Sequence, residues 1–187
     1  MKQTVWLIVE AEADGKIIKH LIFKHFPTLY VEVFTATGGS PNLSRLESQL
    51  NDLIKRARKG TLKHPATHRD CILVVHDDDM IQPNRTVYSA IAQKCRSNGV
   101  VEIVANDELE AWLLSDSGLS KWLGIKQETW NSKQRPSDDL KSLLKAQKSH
   151  KYPDDLQKVL PHLNSDGINE SFQDALKTLK TLPCTSA

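Results

Sequence analysis

Three groups of carboxylates stand directly after apolar runs. Glu10, Glu12 and Asp14 follow Thr4 to Val9, Asp77, Asp78 and Asp79 follow Cys71 to Val75, and Asp107, Glu108 and Glu110 follow Val100 to Ala105. If these groups converge they repel one another, since like charges at ~4 Å cost about 4 kcal/mol at an effective dielectric near 20. Protonation of several acids relieves that cost, and so does a divalent cation. Oxygen-only ligands select a hard ion, Mg²⁺ or Mn²⁺, over Zn²⁺. The matching chemistry is phosphodiester hydrolysis, which needs a neutralised phosphate, an activated water and a stabilised leaving oxygen. Two divalent ions ~4 Å apart supply all three. Side chains alternate along an extended chain, so Asp77 and Asp79 share one side while Asp78 points away. Glu10 can either ligate the ion or act as general base, and the residues do not separate those roles. One acidic run alone is more often a helix cap or a solvated loop. The third group is the weakest, because Asp107 and Glu108 also suit the first turn of a helix.

Basic residues are sorted as well. Lys55, Arg56, Arg58, Lys59, Lys63 and Arg69 occur with no acid between them, and His64 and His68 lie in the same stretch. Such a patch can hold a nucleic-acid backbone beside the metal site by neutralising phosphates. It reads equally well as a solvated helix end, where cations favour the dipole. Thr61 to Asp70 reads as a mobile loop, and Lys121 to Lys151 is also net basic. His64, His68 and Cys71 superficially resemble zinc ligands. Pro65 breaks a helical pairing and Cys71 opens a buried strand, so structural zinc is not expected. Trp112, Trp122 and Trp130 offer stacking surfaces, although Trp112 sits among Leu109, Leu113 and Leu114 and reads as core.

The elements that must position these residues alternate. Lys2 to Val9, Leu29 to Thr35, Cys71 to Val75 and Val100 to Ala105 have the composition of strands, and Asp14 to Phe26, Leu43 to Lys59, Asn84 to Cys95 and Glu108 to Ser115 have helical spacing. This alternation predicts a parallel sheet covered on both faces, with ligands bound at the strand carboxyl ends. From about Gly118 onward only short helices are expected, separated by Pro136, Pro153 and Pro161, with a frayed tail after Pro183. A length of 187 residues fits one domain with a small helical appendage. No apolar run nears the roughly 18 residues of a membrane span, and no signal peptide is evident. Three widely spaced cysteines, Cys71, Cys95 and Cys184, point to free thiols in a reducing cytoplasm. The balance of 25 Lys and Arg against 23 Asp and Glu is near neutral because acids and bases gather in separate segments. No P-loop is present, and Gly38-Gly39 is not followed by Lys.

Taken in order, these motifs resemble the Toprim domain. Val9-Glu10-Ala11-Glu12-Ala13-Asp14 resembles its first motif, and Ile72 to Asp79 resembles the apolar strand that ends in Asp-x-Asp. Glu108 to Asp116 resembles the acid-rich helix start of the OLD (overcoming lysogenization defect) type nucleases and their small stand-alone relatives. The resemblance covers about residues 3–116. It implies a metal site of Glu10, Asp14, Asp77 and Asp79, completed by Glu108 or Glu110, with Glu10, Asp77 and Asp79 closest to the chemistry. Ala11 replaces the usual Gly. Met80 replaces the Gly that often follows Asp-x-Asp in topoisomerases and primases, which argues against those branches. Lys145, Lys148, Lys151 and Lys158 are candidates for a downstream lysine, and nothing singles one out.

The expectation is therefore an α/β, Toprim-like (Rossmann-like) domain over residues 1–117, with a helical extension over 118–187 packed on it. The expected activity is Mg²⁺- or Mn²⁺-dependent cleavage of DNA or RNA in the cytoplasm. By resemblance, it would serve phage or mobile-element defence with a separately encoded ATPase. The competing expectations are a non-catalytic adaptor that binds an ATPase or nucleic acid, and a receiver-like phosphoacceptor domain. Substrate type, oligomeric state and trigger are left open.

Overall fold

Val5 to Val9 is apolar at every position, and such a run is stable as a strand only with both faces covered. β1 (Thr4–Val9) meets that condition, since all six residues are buried. The computed structural model describes residues 3–38, 42–78, 85–106, 108–128 and 135–185. β1, β2 (Tyr30–Thr35), β3 (Cys71–Asp78) and β4 (Val101–Asn106) form one all-parallel sheet in the order β2-β1-β3-β4. β1 pairs with β2 from Thr4↔Tyr30 to Val9↔Thr35, and with β3 from Val5↔Cys71 to Ile8↔Val74. The fold is the α/β, Rossmann-like arrangement that the alternation predicts.

Alternation along β1 divides the core. Trp6 and Ile8 face one side with Val74, against Leu46, Leu50, Leu53, Ile54 and Ala57 of α2 (Leu43–Lys59) and Ile91 and Cys95 of α3 (Arg85–Asn98). Each fully buried Leu or Ile contributes about 1.5–3 kcal/mol. α2 begins where Asn42 accepts the Arg45 N–H and ends at Gly60, whose φ of 72° suits glycine. α1 (Glu12–His25) covers the other face. It approaches so closely that a Cβ on Gly15 would lie 2.5 Å from Val33 Cγ1.

Among the described residues the chain forms two compact units. The first takes in 3–38, 42–76, 85–104 and 177–185, and the second takes in 77–78, 105–106, 108–128 and 135–176. Beyond the strands, the second unit contains α4 (Leu109–Leu114), α5 (Ser117–Leu123), α6 (Pro136–Lys148), α7 (Leu156–Val159), a 3₁₀ turn at Leu160–His162 and most of α8 (Glu170–Lys180). Its core is largely apolar and encloses a small polar network. Buried Asp116 accepts the backbone N–H groups of Leu119, Asn164, Ser165 and Asp166 at 2.7–3.3 Å, which caps α5 and fixes the 164–166 turn. Trp112 is core, as its neighbours imply. Its Nε1 donates to Ser171 Oγ at 2.7 Å and its ring packs on Phe172.

Three expectations are corrected. β3 does not stop at His76 but runs on to Asp78, because ladder hydrogen bonds use the backbone and the buried His76 ring has a partner in Glu102. The tail after Pro183 is not frayed over its described residues. Pro183–Thr185 is a 3₁₀ turn, and Cys184 is fully buried. Cys71 and Cys184 are not free thiols but a disulfide with a Cα–Cα distance of 5.8 Å. Only Cys95 carries a thiol, and desolvation, followed by the charge of Glu102, pushes it up to about 12.

Candidate metal-binding edge

The acids follow strands whose direction the sheet sets. β1 ends at Val9, and half-buried Glu10 continues the chain by one residue. Extending the Ile8↔Val74 register by two residues brings His76 level with Glu10. The order β2-β1-β3-β4 reverses between β1 and β3, and that reversal is where open α/β sheets bind ligands outside their strand carboxyl ends.

Within the first unit, Asp14 lies in the first turn of α1. Its Oδ2 accepts the Ala11 N–H at 3.0 Å, closing the helix start. Glu12 faces solvent and pairs with Lys16 at 2.8 Å, which holds its carboxyl below the usual range. His76 does not face the acids' solvent side. It is buried, with Nε2 3.0 Å from Glu102 Oε1 and its ring stacked on Tyr88.

Within the second unit, Asp77 Oδ1 accepts the Leu109 N–H at 2.9 Å and so caps α4 from outside that helix. Glu108 precedes α4 but caps a different helix. Its two oxygens take the Ser137 N–H at 2.7 Å and the Ser137 hydroxyl at 3.3 Å, at the first turn of α6. Glu110 Oε1 accepts the Tyr152 hydroxyl at 2.7 Å. Burial raises the Glu110 carboxyl, and the Tyr152 bond partly offsets that shift. Asp78 is half-buried at the end of β3, whereas Asp79 and Asp107 lie outside the described residues.

Four of the candidate ligands, Asp14, Asp77, Glu108 and Glu110, thus have a hydrogen-bonding duty within the fold. Among the described residues, no three His, Cys, Asp or Glu side chains converge closely enough to hold an ion. The donor chemistry still fits a hard cation, because a carboxylate that receives one N–H keeps further lone pairs. Glu108 meets it least, having both oxygens in use.

The basic residues lie elsewhere. Lys63 and Arg69 belong to the loop that enters β3, at the amino-terminal edge of the sheet, and Glu10 lies at the carboxyl-terminal edge. Thr4 to Glu10 spans about 20 Å at ~3.3 Å per residue, so the structure does not bring the loop cations beside Glu10. Lys55 pairs with Asp52 at 3.4 Å, Arg56 lies over the Phe34 ring, and Arg58 donates to the Asn98 carbonyl at 2.5 Å. Lys59 is exposed in the last turn of α2. Trp122 stacks on His162 with ring centroids 4.1 Å apart, and Trp130 lies outside the described residues.

Asp116 and Glu102 escaped the sequence reading as polar residues of weight. Asp116 shows only as the last acid of its motif, and the partner of Glu102 lies 26 residues away. Comparison of the chain with protein-family models, with curated proteins and with solved structures finds no match.

Proposed function

We propose that the chain is a divalent-metal-dependent phosphodiesterase acting on DNA or RNA. The observation that carries this reading is the strand order, in which β1, followed directly by Glu10, and β3, which ends in acids, are parallel neighbours on either side of the reversal. Glu10, Asp14, Asp77 and Asp79 would hold Mg²⁺ or Mn²⁺, with Glu108 or Glu110 as a further ligand. The ion would supply charge neutralisation on the scissile phosphate and a water of lowered pKa. The residues' own part is then simple. Glu10 either helps hold the ion or takes a proton from the attacking water, and the aspartates would position the ion that neutralises the phosphate. Asp77 is held for that purpose by its bond from the Leu109 N–H. The Toprim resemblance extends the proposal to a separately encoded ATPase partner, to phage or mobile-element defence and to the cytoplasm. Disulfides are rare in that compartment, so the Cys71–Cys184 bond weighs against the last of these.

A second reading has its own observation. Asp14, Asp77, Glu108 and Glu110 already serve as helix caps or hydrogen-bond acceptors. An adaptor that uses the same edge to bind an ATPase or nucleic acid without catalysis needs no more than that. The experiment incubates the protein with plasmid, single-stranded DNA and RNA in Mn²⁺, Mg²⁺ or chelator, beside an Asp77→Ala/Asp79→Ala variant. The nuclease reading expects metal-dependent cleavage that falls ~100-fold or more in the variant. Cleavage that persists in the variant removes the site assignment, and no cleavage of any substrate leaves the adaptor.

A further inference from the structure

At the opposite edge of the sheet, Lys63, His64, His68 and Arg69 line one cleft of about 730 Å³ together with Gln3 and Thr4. The loop that carries them is built by its own bonds. Thr61 N–H donates to the His64 carbonyl at 2.8 Å, and Thr67 N–H donates to Asp70 Oδ2 at 2.8 Å. Gly60 turns the chain at a φ where a Cβ would overlap Ala66 N and His64 O. Asp70 ties the loop to β1 by accepting the Thr4 N–H at 2.9 Å and Trp6 Nε1–H at 3.2 Å. The His64 ring is backed by Tyr30, with centroids 4.3 Å apart.

The electrostatics of this cleft are one-sided. Among the described residues Asp70 is the only acid in the lining, and three N–H donors from its own chain engage its oxygens. Among the described residues no carboxylate pairs with Lys63 or Arg69. An ammonium, a guanidinium and two imidazoles therefore line one concavity. A tetrahedral oxyanion satisfies such a set, with the guanidinium fork taking two oxygens at once. The volume lies in the range of small-ligand sites and exceeds what a bare phosphate fills.

We propose that this cleft is a phosphate-ester site, filled by a nucleotide or by the phosphate of a nucleic-acid strand. It requires no divalent ion and does not rest on the nuclease reading. Because it opens at the edge away from Glu10, a phosphate held here is not the one that chemistry at the acid edge would attack.

The test measures anisotropy of a short fluorescein-labelled oligodeoxythymidylate in EDTA across a salt series, with ATP and inorganic phosphate as competitors. Wild type is compared with Lys63→Ala/Arg69→Ala and with Lys24→Ala/Lys180→Ala, an exposed control pair outside both the cleft and the 55–69 basic stretch, after melting curves establish that all three fold. The cleft variant is expected to bind at least about tenfold more weakly. Its slope of log K on log salt should be shallower by about 1.4, the value for two lost single-strand phosphate contacts. The control pair should stay within about twofold of wild type. Displacement by ATP assigns the site to free nucleotides and resistance to ATP assigns it to strand phosphates, and either outcome upholds the phosphate chemistry. Unchanged affinity in the cleft variant, an equal loss in the control pair, or no binding by wild type overturns the proposal.

Discussion

Reducing the bond between Cys71 and Cys184 should lower stability by several kcal/mol while leaving both side chains in place. The bond joins residues 113 positions apart, and both cysteines belong to the first unit. In the chain-entropy description, closing a loop of that length removes about 16 cal/mol/K from the unfolded ensemble, worth about 4.8 kcal/mol at 25 °C. At this chain length that corresponds to a fall in Tm of roughly 10–20 °C. The assay is urea and thermal unfolding by circular dichroism, with and without a phosphine reductant, on wild type and on Cys71→Ala/Cys184→Ala. The double variant should lie near reduced wild type and should not respond to reductant. Thiol titration supplies the covalent check. Native protein should show no fast-reacting thiol, because Cys95 is buried and its thiol is pushed up to about 12. Denatured, unreduced protein should show one thiol. Three thiols in that sample, or a midpoint that reductant moves by less than about 1 kcal/mol, refutes the reasoning.

Two further predictions concern carboxylates that accept hydrogen bonds within the second unit. Burial raises Glu110 above the ordinary 4.5 of a glutamate, so the folded state binds its proton more tightly than the unfolded state does. That contribution is fully present below about 4.5 and is lost as pH rises through the folded value. Glu110→Gln keeps an acceptor for Tyr152, so the variant should gain stability relative to wild type between pH 4 and pH 8 in urea titrations. A pH-independent gap contradicts this. Asp116→Ala strips an acceptor from four backbone N–H groups and should cost about 3 kcal/mol or more in the same assay, so a loss under about 1 kcal/mol would count against its organising role.

How far the fold could be read from residue order depends on whether the signal is local. α2 was readable, because the spacing of Leu46, Leu50, Leu53, Ile54 and Ala57 lies within one stretch. The last residues of β3 were not, because His76, Asp77 and Asp78 are poor strand formers and the partners of His76 and Asp77 sit more than twenty residues away. With three cysteines any pair can form, and nothing local favours Cys71 with Cys184. The acids were visible as three groups behind strands. Their engagement with Leu109, Ser137 and Tyr152 was not, since a carboxylate that caps a distant helix looks in sequence like one awaiting a cation. The separation of Lys63 and Arg69 from Glu10 follows from strand direction, a property of the assembled sheet.

The first unit is assembled from three separated pieces of chain, and the last of them is 177–185 among the described residues. Leu179, Leu182 and Cys184 in that piece are buried. During synthesis at ~5–20 residues per second, β1 to β4 emerge well before this closing segment. The nascent sheet must wait several seconds for it, carrying Cys71 as an unpaired thiol at its margin. Completion of this unit thus waits on the synthesis of residues 177–185. A shortened chain that stops before 177 would keep every strand and still leave that unit's core open.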